Sequence, residues 1–249
     1  MPRYARYPSG RSLMHDYFPL GVKWLLIINS GIYIVTYLCP LELQRHITVL
    51  FALSAEAAVR NYYVWQLVTY MFLHGGMWHL LFNMLALWMF GIQLEQDWGT
   101  QRFLKYYFYC GVAAGVSVLV VNMLVGQWGT ITLGASGAIF GVLVAFGVTY
   151  PDQPVLLALI FPMKAKYLVM ILVGIELLVT FGPNTGVSTV AHLGGAAFGF
   201  VYLKRRPGRS GRWTLPDFGG VYRQWKLKRA KKKFQTYMKN HNNRGPWVH

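Results

Sequence analysis

The chain has 249 residues, of which 55% are hydrophobic and only 13% are charged, and this charged share is about half of that usual in soluble domains. The composition therefore excludes an ordinary soluble domain and favours a protein that lies mostly in a membrane. The net charge is +16, and more than half of the Lys and Arg residues follow Leu203, next to apolar segments. We expect this basic block to bind anionic membrane lipids of the inner leaflet rather than nucleic acid.

Residues 1–19 form a polar leader that contains Arg3, Arg6 and Arg11. The apolar stretch that follows has no small-residue cleavage site at its end, so it is not a secretory signal peptide. We expect a cytoplasmic leader. The basic composition is also similar to that of a short mitochondrial presequence, and this alternative stays open.

Six apolar stretches follow, each close to the length of about 20 residues that a membrane-spanning helix needs. They are residues 20–38, 77–96, 103–124, 133–150, 166–181 and 187–203. Lys and Arg accumulate in cytoplasmic loops, and here they occur in the leader, in the second and fourth connections and in the tail. The sequence therefore predicts an all-α polytopic membrane protein, with a six-transmembrane-helix domain over 20–203, both termini inside (N-in/C-in), and a basic cytoplasmic tail over 204–249.

The first connection, residues 39–76, is long and mixes Leu, Phe, Tyr and Trp with few charges. A segment of this composition is expected to lie partly in the outer membrane interface. The two cysteines, Cys39 and Cys110, form neither a disulfide framework nor a metal-binding spacing. We therefore expect no metal and no cofactor.

Glycine spacing predicts which helices lie side by side. Gly137 and Gly141 in the fourth stretch are four residues apart, as are Gly195 and Gly199 in the sixth. Residues at this spacing share a helix face. Because small residues on one face let two helix backbones approach closely, the fourth and sixth helices are expected to pack together.

Four polar side chains lie within the predicted helices, where unpaired polar groups are costly and are therefore candidates for function. They are His79 and Asn83 in the second helix, Ser136 in the fourth and His192 in the sixth. These three helices all enter the membrane from the outside, and the two histidines and the serine lie within about two turns of that end. The polar side chains should therefore meet in one layer near the outer surface.

The residue types in that layer indicate nucleophilic catalysis. A serine hydroxyl is a weak nucleophile, and a neighbouring imidazole that accepts its proton is the usual means of activation. His192 can act as this base and can then protonate a leaving amine. His79 and Asn83 are four residues apart on one helix face and can donate hydrogen bonds to an oxyanion.

The orientation of His192 is expected to depend on an aromatic ring. Phe140, one turn after Ser136, can pack against the imidazole. The carboxylates of Glu95 and Glu176 are predicted near the inner side or the middle of the membrane, away from His192. The pattern therefore favours a serine–histidine dyad without a carboxylate.

Three segments together resemble the rhomboid family of intramembrane serine proteases. They are HGGMWHLLFN at 74–83, GASG at 134–137 and AHLGG at 191–195. The resemblance implies the six-helix rhomboid fold, with Ser136 as nucleophile and His192 as general base. It also implies that His79, Asn83 and the backbone N–H of Ser136 stabilise the oxyanion. Supporting positions in or beside the serine motif are Gly134, Gly137 and Phe140.

Further positions can be compared with the family pattern. Gln66, after Trp65, stands where one version of the family has arginine, Glu95 matches an acidic position, and Phe140 stands where tyrosine is frequent. The resemblance implies single-span membrane proteins as substrates, cleaved near the outer face after the substrate helix unwinds. We expect a multi-pass integral protein of a bacterial inner membrane.

Three other interpretations stay open. Some rhomboid relatives bind membrane clients without cutting them, although those typically lack the serine or the histidine, and this chain has both. A transporter could use His79, Asn83 and His192 as a polar pathway. A zinc metalloprotease is disfavoured because the chain lacks His-Glu-x-x-His.

Overall fold

A computed structural model describes residues 19–157, 161–180 and 187–205, together with positions 229 and 231. The chain divides into two compact units, Met1–Ser210 and Gly211–His249, and the account below concerns the first. The predicted cytoplasmic leader and nearly all of the predicted basic tail lie outside the described residues.

The described chain is mostly helical, and helices occupy all six stretches in which spanning segments are predicted. Helices α1, α4 and α5 are long and apolar enough to cross a membrane, whereas α6 is a shorter apolar helix. The six-span count and the N-in/C-in orientation stay predictions. The helices are α1 Leu20–Leu38, α2 Leu41–Phe51, α3 Gln66–Thr69, α4 Met77–Trp98, α5 Thr100–Leu124, α6 Ser136–Thr149, α7 Ala165–Thr180 and α8 Val187–Arg205.

Glycines in the left-handed region set two of the helix boundaries. Gly99, with φ of 81°, is the only residue between α4 and α5, and its N–H donates to the Glu95 carbonyl over 2.8 Å. This is a usual way to end a helix, since glycine has no Cβ to clash. Gly134, with φ of 121°, delays the start of α6 to Ser136, three residues later than predicted.

The connection between α6 and α7 contains a two-stranded antiparallel hairpin that was not predicted from the sequence. Strands β1 (Pro154–Leu157) and β2 (Phe161–Lys164) pair with Val155 opposite Met163. At the base of the hairpin, the Asp152 carboxylate accepts hydrogen bonds from Lys164 at 2.9 Å and Lys166 at 2.8 Å. These two ammonium groups lower the pKa of Asp152 to about 2. The hairpin lies within the predicted connection between the fourth and fifth stretches, and runs this short have too little periodicity to predict strands.

The predicted close approach of the fourth and sixth helices is confirmed. A Cβ added to Gly195 of α8 would overlap the backbone carbonyl of Gly137 in α6, and one added to Gly199 would lie 3.2 Å from the Cα of Gly141. Helix α5 lies against the same seam, because a Cβ on Gly141 would come within 2.5 Å of the Cys110 sulfur. The backbones of α6 and α8 therefore touch with no side chain between them.

The segment between α1 and α4 is fixed by the buried amide of Gln66. Its Oε1 accepts a hydrogen bond from the Ser54 N–H at 3.2 Å, and its Nε2 donates to the Val49 carbonyl at 2.9 Å. Helix α2, which precedes this anchor, buries none of its residues. A neutral amide thus anchors the loop at the position where one version of the rhomboid pattern has arginine.

The other end of α1 is fixed by Glu95 of α4. Its two carboxylate oxygens accept the N–H groups of Gly21 and Val22, each at 2.7 Å, and Oε1 also accepts the Thr100 hydroxyl at 2.6 Å. These N–H groups belong to the first turn of α1, which has no partners for them within the helix. Glu95 therefore caps α1 and has no place in the polar site.

Candidate active site

Ser136 is the first residue of α6, and the local backbone explains why it is presented there. The preceding Gly134 has a conformation that other residues rarely adopt, so the chain turns sharply into the helix. The N–H of the first helical residue has no acceptor within its own helix, and the N-terminus carries partial positive charge. The hydroxyl and the N–H of Ser136 thus stand together at the positive end of α6.

His192 on α8 lies beside this hydroxyl. Its Nε2 is 2.8 Å from Ser136 Oγ, a distance at which the hydroxyl can donate a hydrogen bond to a neutral imidazole. Phe140 covers one face of the imidazole ring, with the ring centroids 4.4 Å apart and the planes inclined by 10°. The predicted packing of Phe140 on His192 is confirmed.

The expectation that no carboxylate accompanies His192 is wrong. Glu176 Oε1, on α7, lies 2.9 Å from His192 Nδ1, and the two side chains are 17% and 16% exposed. Glu176 was predicted too deep although α7 begins within one residue of its predicted start, because its distance from the end of α7 was not compared with that of His192 from the start of α8, four and five residues respectively. The spacing of 16 residues between Glu176 and His192 on separate helices carries no local signal.

His79 and Asn83 of α4 are brought to the other side of Ser136. A Cβ built on Gly134 would lie 2.8 Å from His79 Nε2 and 3.9 Å from Asn83 Nδ2, so both nitrogens lie near the residue two positions before the serine. Asn83 is buried, and its Nδ2 has no hydrogen-bond partner among the described residues. A buried amide donor without a partner is costly and is available to a bound group.

His74 joins this cluster from the turn before α4. Its ring meets that of His79 edge to face, with centroids 5.2 Å apart. Burial, followed by the proximity of His79, lowers the pKa of His74 to about 4. His74 is therefore neutral near pH 7 and adds no positive charge beside His79.

A cavity of about 540 Å³ connects these groups and is lined by Ser136, His192, His79 and the segment 130–134. This volume is within the range of about 300–1,000 Å³ usual for ligand sites. The segment that forms its wall is held by reciprocal backbone hydrogen bonds between Leu53 and Thr132, at 2.9 and 2.8 Å. The cavity places the Ser136 hydroxyl, the His192 imidazole and His79 around one volume.

Comparisons with a family model and with curated proteins all indicate the same family. The model of the Rhomboid domain matches residues 61–205. RHOMBOID-like protein 2 of Arabidopsis thaliana is 33% identical over 190 residues, covering 75% of this chain and 54% of that protein. Rhomboid-like protease 3 of Toxoplasma gondii is 27% identical over 185 residues, covering 74% and 68%. Rhomboid protein 1, mitochondrial, of Saccharomyces cerevisiae is 32% identical over 163 residues, covering 57% and 45%. The matched region is thus about half of the length of two of these relatives.

Proposed function

The chain belongs to the rhomboid family, and on this premise we propose that it is an intramembrane serine endopeptidase that cleaves transmembrane-segment substrates near the outer membrane face. The observation that carries the proposal is the 2.8 Å distance between Ser136 Oγ and His192 Nε2, at a cavity that His79 also lines. A serine paired with a base and facing hydrogen-bond donors is the arrangement that acyl transfer needs.

In the first half of the reaction, Ser136 Oγ attacks the carbonyl carbon of the scissile peptide bond. The hydroxyl proton passes to His192 Nε2, a C–O bond forms, and the carbonyl electron pair moves onto oxygen. The oxyanion accepts hydrogen bonds from the Ser136 N–H and from the His79 and Asn83 side chains. When the tetrahedral intermediate collapses, the C–N bond breaks and His192 gives its proton to the leaving amine, which leaves an acyl-enzyme.

The second half consumes one water molecule. His192 takes a proton from the water as its oxygen attacks the acyl carbon, and the same donors hold the new oxyanion. The ester C–O bond to Ser136 then breaks, and the proton on His192 returns to Oγ. The serine and the imidazole are restored, and the products are one carboxyl and one amino terminus.

The proposed membrane arrangement is six spans with both termini inside, which brings the outer ends of α4, α6 and α8 together at the site. The basic connections and tail support this orientation, and the tail is proposed to bind anionic lipid of the inner leaflet. A substrate helix must unwind before attack because its carbonyls are otherwise hydrogen-bonded within the helix.

The proposed location is a bacterial inner membrane, in keeping with basic segments that would face the cytoplasm. The mitochondrial alternative predicts import instead and agrees with the printed name of the yeast relative. Expression of the chain with a C-terminal fluorescent tag in yeast separates the two. A signal in mitochondria, lost when residues 1–19 are removed, would contradict the bacterial assignment.

The protease assignment is tested with purified protein in liposomes and a single-span model substrate. We expect cleavage by the wild type and none by Ser136→Ala or His192→Ala. A fluorophosphonate probe should label the wild type and leave Ser136→Ala unlabelled. Cleavage that both variants retain in full would refute the assignment, and binding of the substrate without cleavage by the wild type would favour a non-catalytic client-binding protein.

A further inference from the structure

We propose that Glu176 is a positioning residue that holds His192 in the tautomer needed to accept the proton of Ser136, and that it stabilises the imidazolium formed during the reaction. The inference deepens the proposed function and rests on it. It turns the predicted serine–histidine pair into a chain of three side chains on α6, α8 and α7. In this scheme Glu176 exchanges no proton.

The two ring nitrogens of His192 face different partners. Nε2 lies 2.8 Å from Ser136 Oγ and must be unprotonated to accept the hydroxyl proton. In a neutral imidazole the ring proton is then on Nδ1, which needs an acceptor. Glu176 Oε1 lies 2.9 Å from Nδ1, within reach of that proton, and we assign it the role of selecting the reactive tautomer.

The contact between Glu176 Oε1 and His192 Nδ1 is close but poorly aligned, and a small rotation of the carboxylate would improve it. The carboxylate oxygen lies off the direction of a linear N–H···O bond, so Nδ1 has no hydrogen-bond partner by angle, and Oε2 of Glu176 also has none. The terminal torsion of a glutamate is broad and turns at little cost. Hydrogen bonds between catalytic groups are often poorly aligned without substrate and tighten in the complex.

The surroundings of Glu176 favour a function over a solvated charge. Helix α7 contains only one other charged residue, Lys166, at its opposite end. The carboxylate is 17% exposed, and a charge in such surroundings is costly unless it is paired. When His192 takes the serine proton, the carboxylate gains a positive partner in contact, an interaction that is stronger in the transition state than in the resting enzyme.

A purely structural role for Glu176 is the competing interpretation, and it makes different predictions. A buried pair with His192 that only holds α7 against α8 would lower Tm and leave the kcat of the folded protein unchanged, and packing of Glu176 against other residues would act equally with or without His192. A positioning role acts through His192 alone. The two roles are therefore separated by comparing the effect of one Glu176 substitution in the wild type and in a His192→Ala background.

The experiment uses the full chain in liposomes and measures kcat, KM, fluorophosphonate labelling rate and Tm. In Glu176→Gln we expect kcat and the labelling rate to fall by about 10²- to 10³-fold, with KM within about twofold, because the imidazolium loses its counter-charge. Glu176→Asp keeps the charge and should recover at least about tenfold of that loss. In His192→Ala, adding Glu176→Gln should change the residual labelling by less than about twofold.

The control is Glu42→Gln, the same chemical change at an exposed carboxylate of α2 that pairs with Arg45, and wild-type kinetics are expected. Wild-type kcat in Glu176→Gln would overturn the inference and leave the protease assignment intact. Equal losses in the Gln and Asp variants, or an undiminished effect of Glu176→Gln in His192→Ala, would assign Glu176 a structural role and also overturn it. A wild type without Ser136-dependent cleavage or labelling would instead overturn the proposed function.

Discussion

The imidazole of His192 lies parallel to the ring of Phe140, with the centroids 4.4 Å apart and the planes inclined by 10°. The two residues belong to different helices, α8 and α6, and Phe140 is one turn after Ser136. The aromatic face therefore restricts the imidazole to the plane in which Nε2 points at the serine hydroxyl. The orientation of the imidazole therefore depends on the stack with Phe140 as well as on the contact with Ser136.

Removal of this stack is expected to slow catalysis without weakening substrate binding. Phe140→Ala frees the imidazole to rotate, and a misplacement of about 1 Å can cost up to about 10²-fold. We expect kcat to fall by about 10- to 100-fold with little change in KM. Phe140→Tyr keeps the ring and serves as the control, with kcat within about threefold of the wild type. Unchanged turnover in Phe140→Ala would show that the stack does not position His192.

Loss of one oxyanion donor should leave measurable activity. Asn83→Ala removes the buried amide near Gly134, and one donor of this kind is worth up to about 10³ in kcat. We expect a drop of that order, smaller than that of Ser136→Ala, because the Ser136 N–H and His79 remain. Gln93→Ala, on the same helix but paired with Gln153, is the matched control. An Asn83→Ala variant with wild-type kcat would remove Asn83 from the site.

The glycine seam between α6 and α8 predicts a steric effect on the active site. Gly195→Ala places a methyl group against the Gly137 carbonyl and must push the helices apart, three residues from His192. We expect a loss of about 1–3 kcal/mol in the free energy of unfolding and loss of most cleavage. Gly174→Ala in α7 meets nothing within 4 Å and should stabilise the protein by up to about 1 kcal/mol. Thermal unfolding and the cleavage assay report both effects.

Glu95 offers a stability test that is separate from catalysis. Glu95→Gln removes the charge that accepts the Gly21 and Val22 N–H groups, and hydrogen bonds to charged groups contribute about 1.5–3 kcal/mol. We expect a clearly lower Tm. The kcat of the folded fraction should be unchanged, because Glu95 is about 24 Å along α4 from His79. Glu56→Gln, at an exposed pair with Arg60, should change Tm little.

The low pKa of His74 predicts an acid-labile fold. The group titrates near 4 in the folded chain and near 6.5 when unfolded, so the unfolded state binds more protons between these values. Stability should therefore fall as pH drops from about 6.5 to about 4, by up to about 3 kcal/mol. Denaturation followed across this pH range measures the loss of stability. His74→Asn should lose less of its free energy of unfolding than the wild type over the same range. An equal pH dependence in wild type and variant would rule out His74 as the cause.

Much of the site could be predicted from the sequence because its members lie near the ends of apolar helices within recognisable motifs. Ser136, His192 and Phe140 are related by helix periodicity and by depth. The depth of Glu176 follows from the same reasoning, because it lies four residues before the end of α7 and His192 lies five residues after the start of α8. The predicted bounds of α7 agree with the structure to one residue, so the error lay in judging depth and not in locating the helix.

The fold, like the site, could be predicted only in part from the sequence. Apolar length located the six helical stretches, while the left-handed glycines at 99 and 134 moved the boundaries. Apolar length also overestimated what α6 contributes as a spanning segment, since Gly134 and Ala135 lie outside the helix. The amide of Gln66 shows why a substitution away from a family pattern is hard to interpret from sequence, since its two backbone partners lie 12 and 17 positions away.

The contact of Gly137 with Gly195 limits how this protein can be re-engineered. Since the α6–α8 seam is backbone against backbone, no side-chain change there can adjust the spacing of serine and base without disrupting it. New substrate preference has to be designed into the cavity wall at 130–133, whose side chains line the cavity while its backbone is held by Leu53. The α6–α8 contact thus fixes the distance between Ser136 and His192, whereas the cavity wall at 130–133 can be changed.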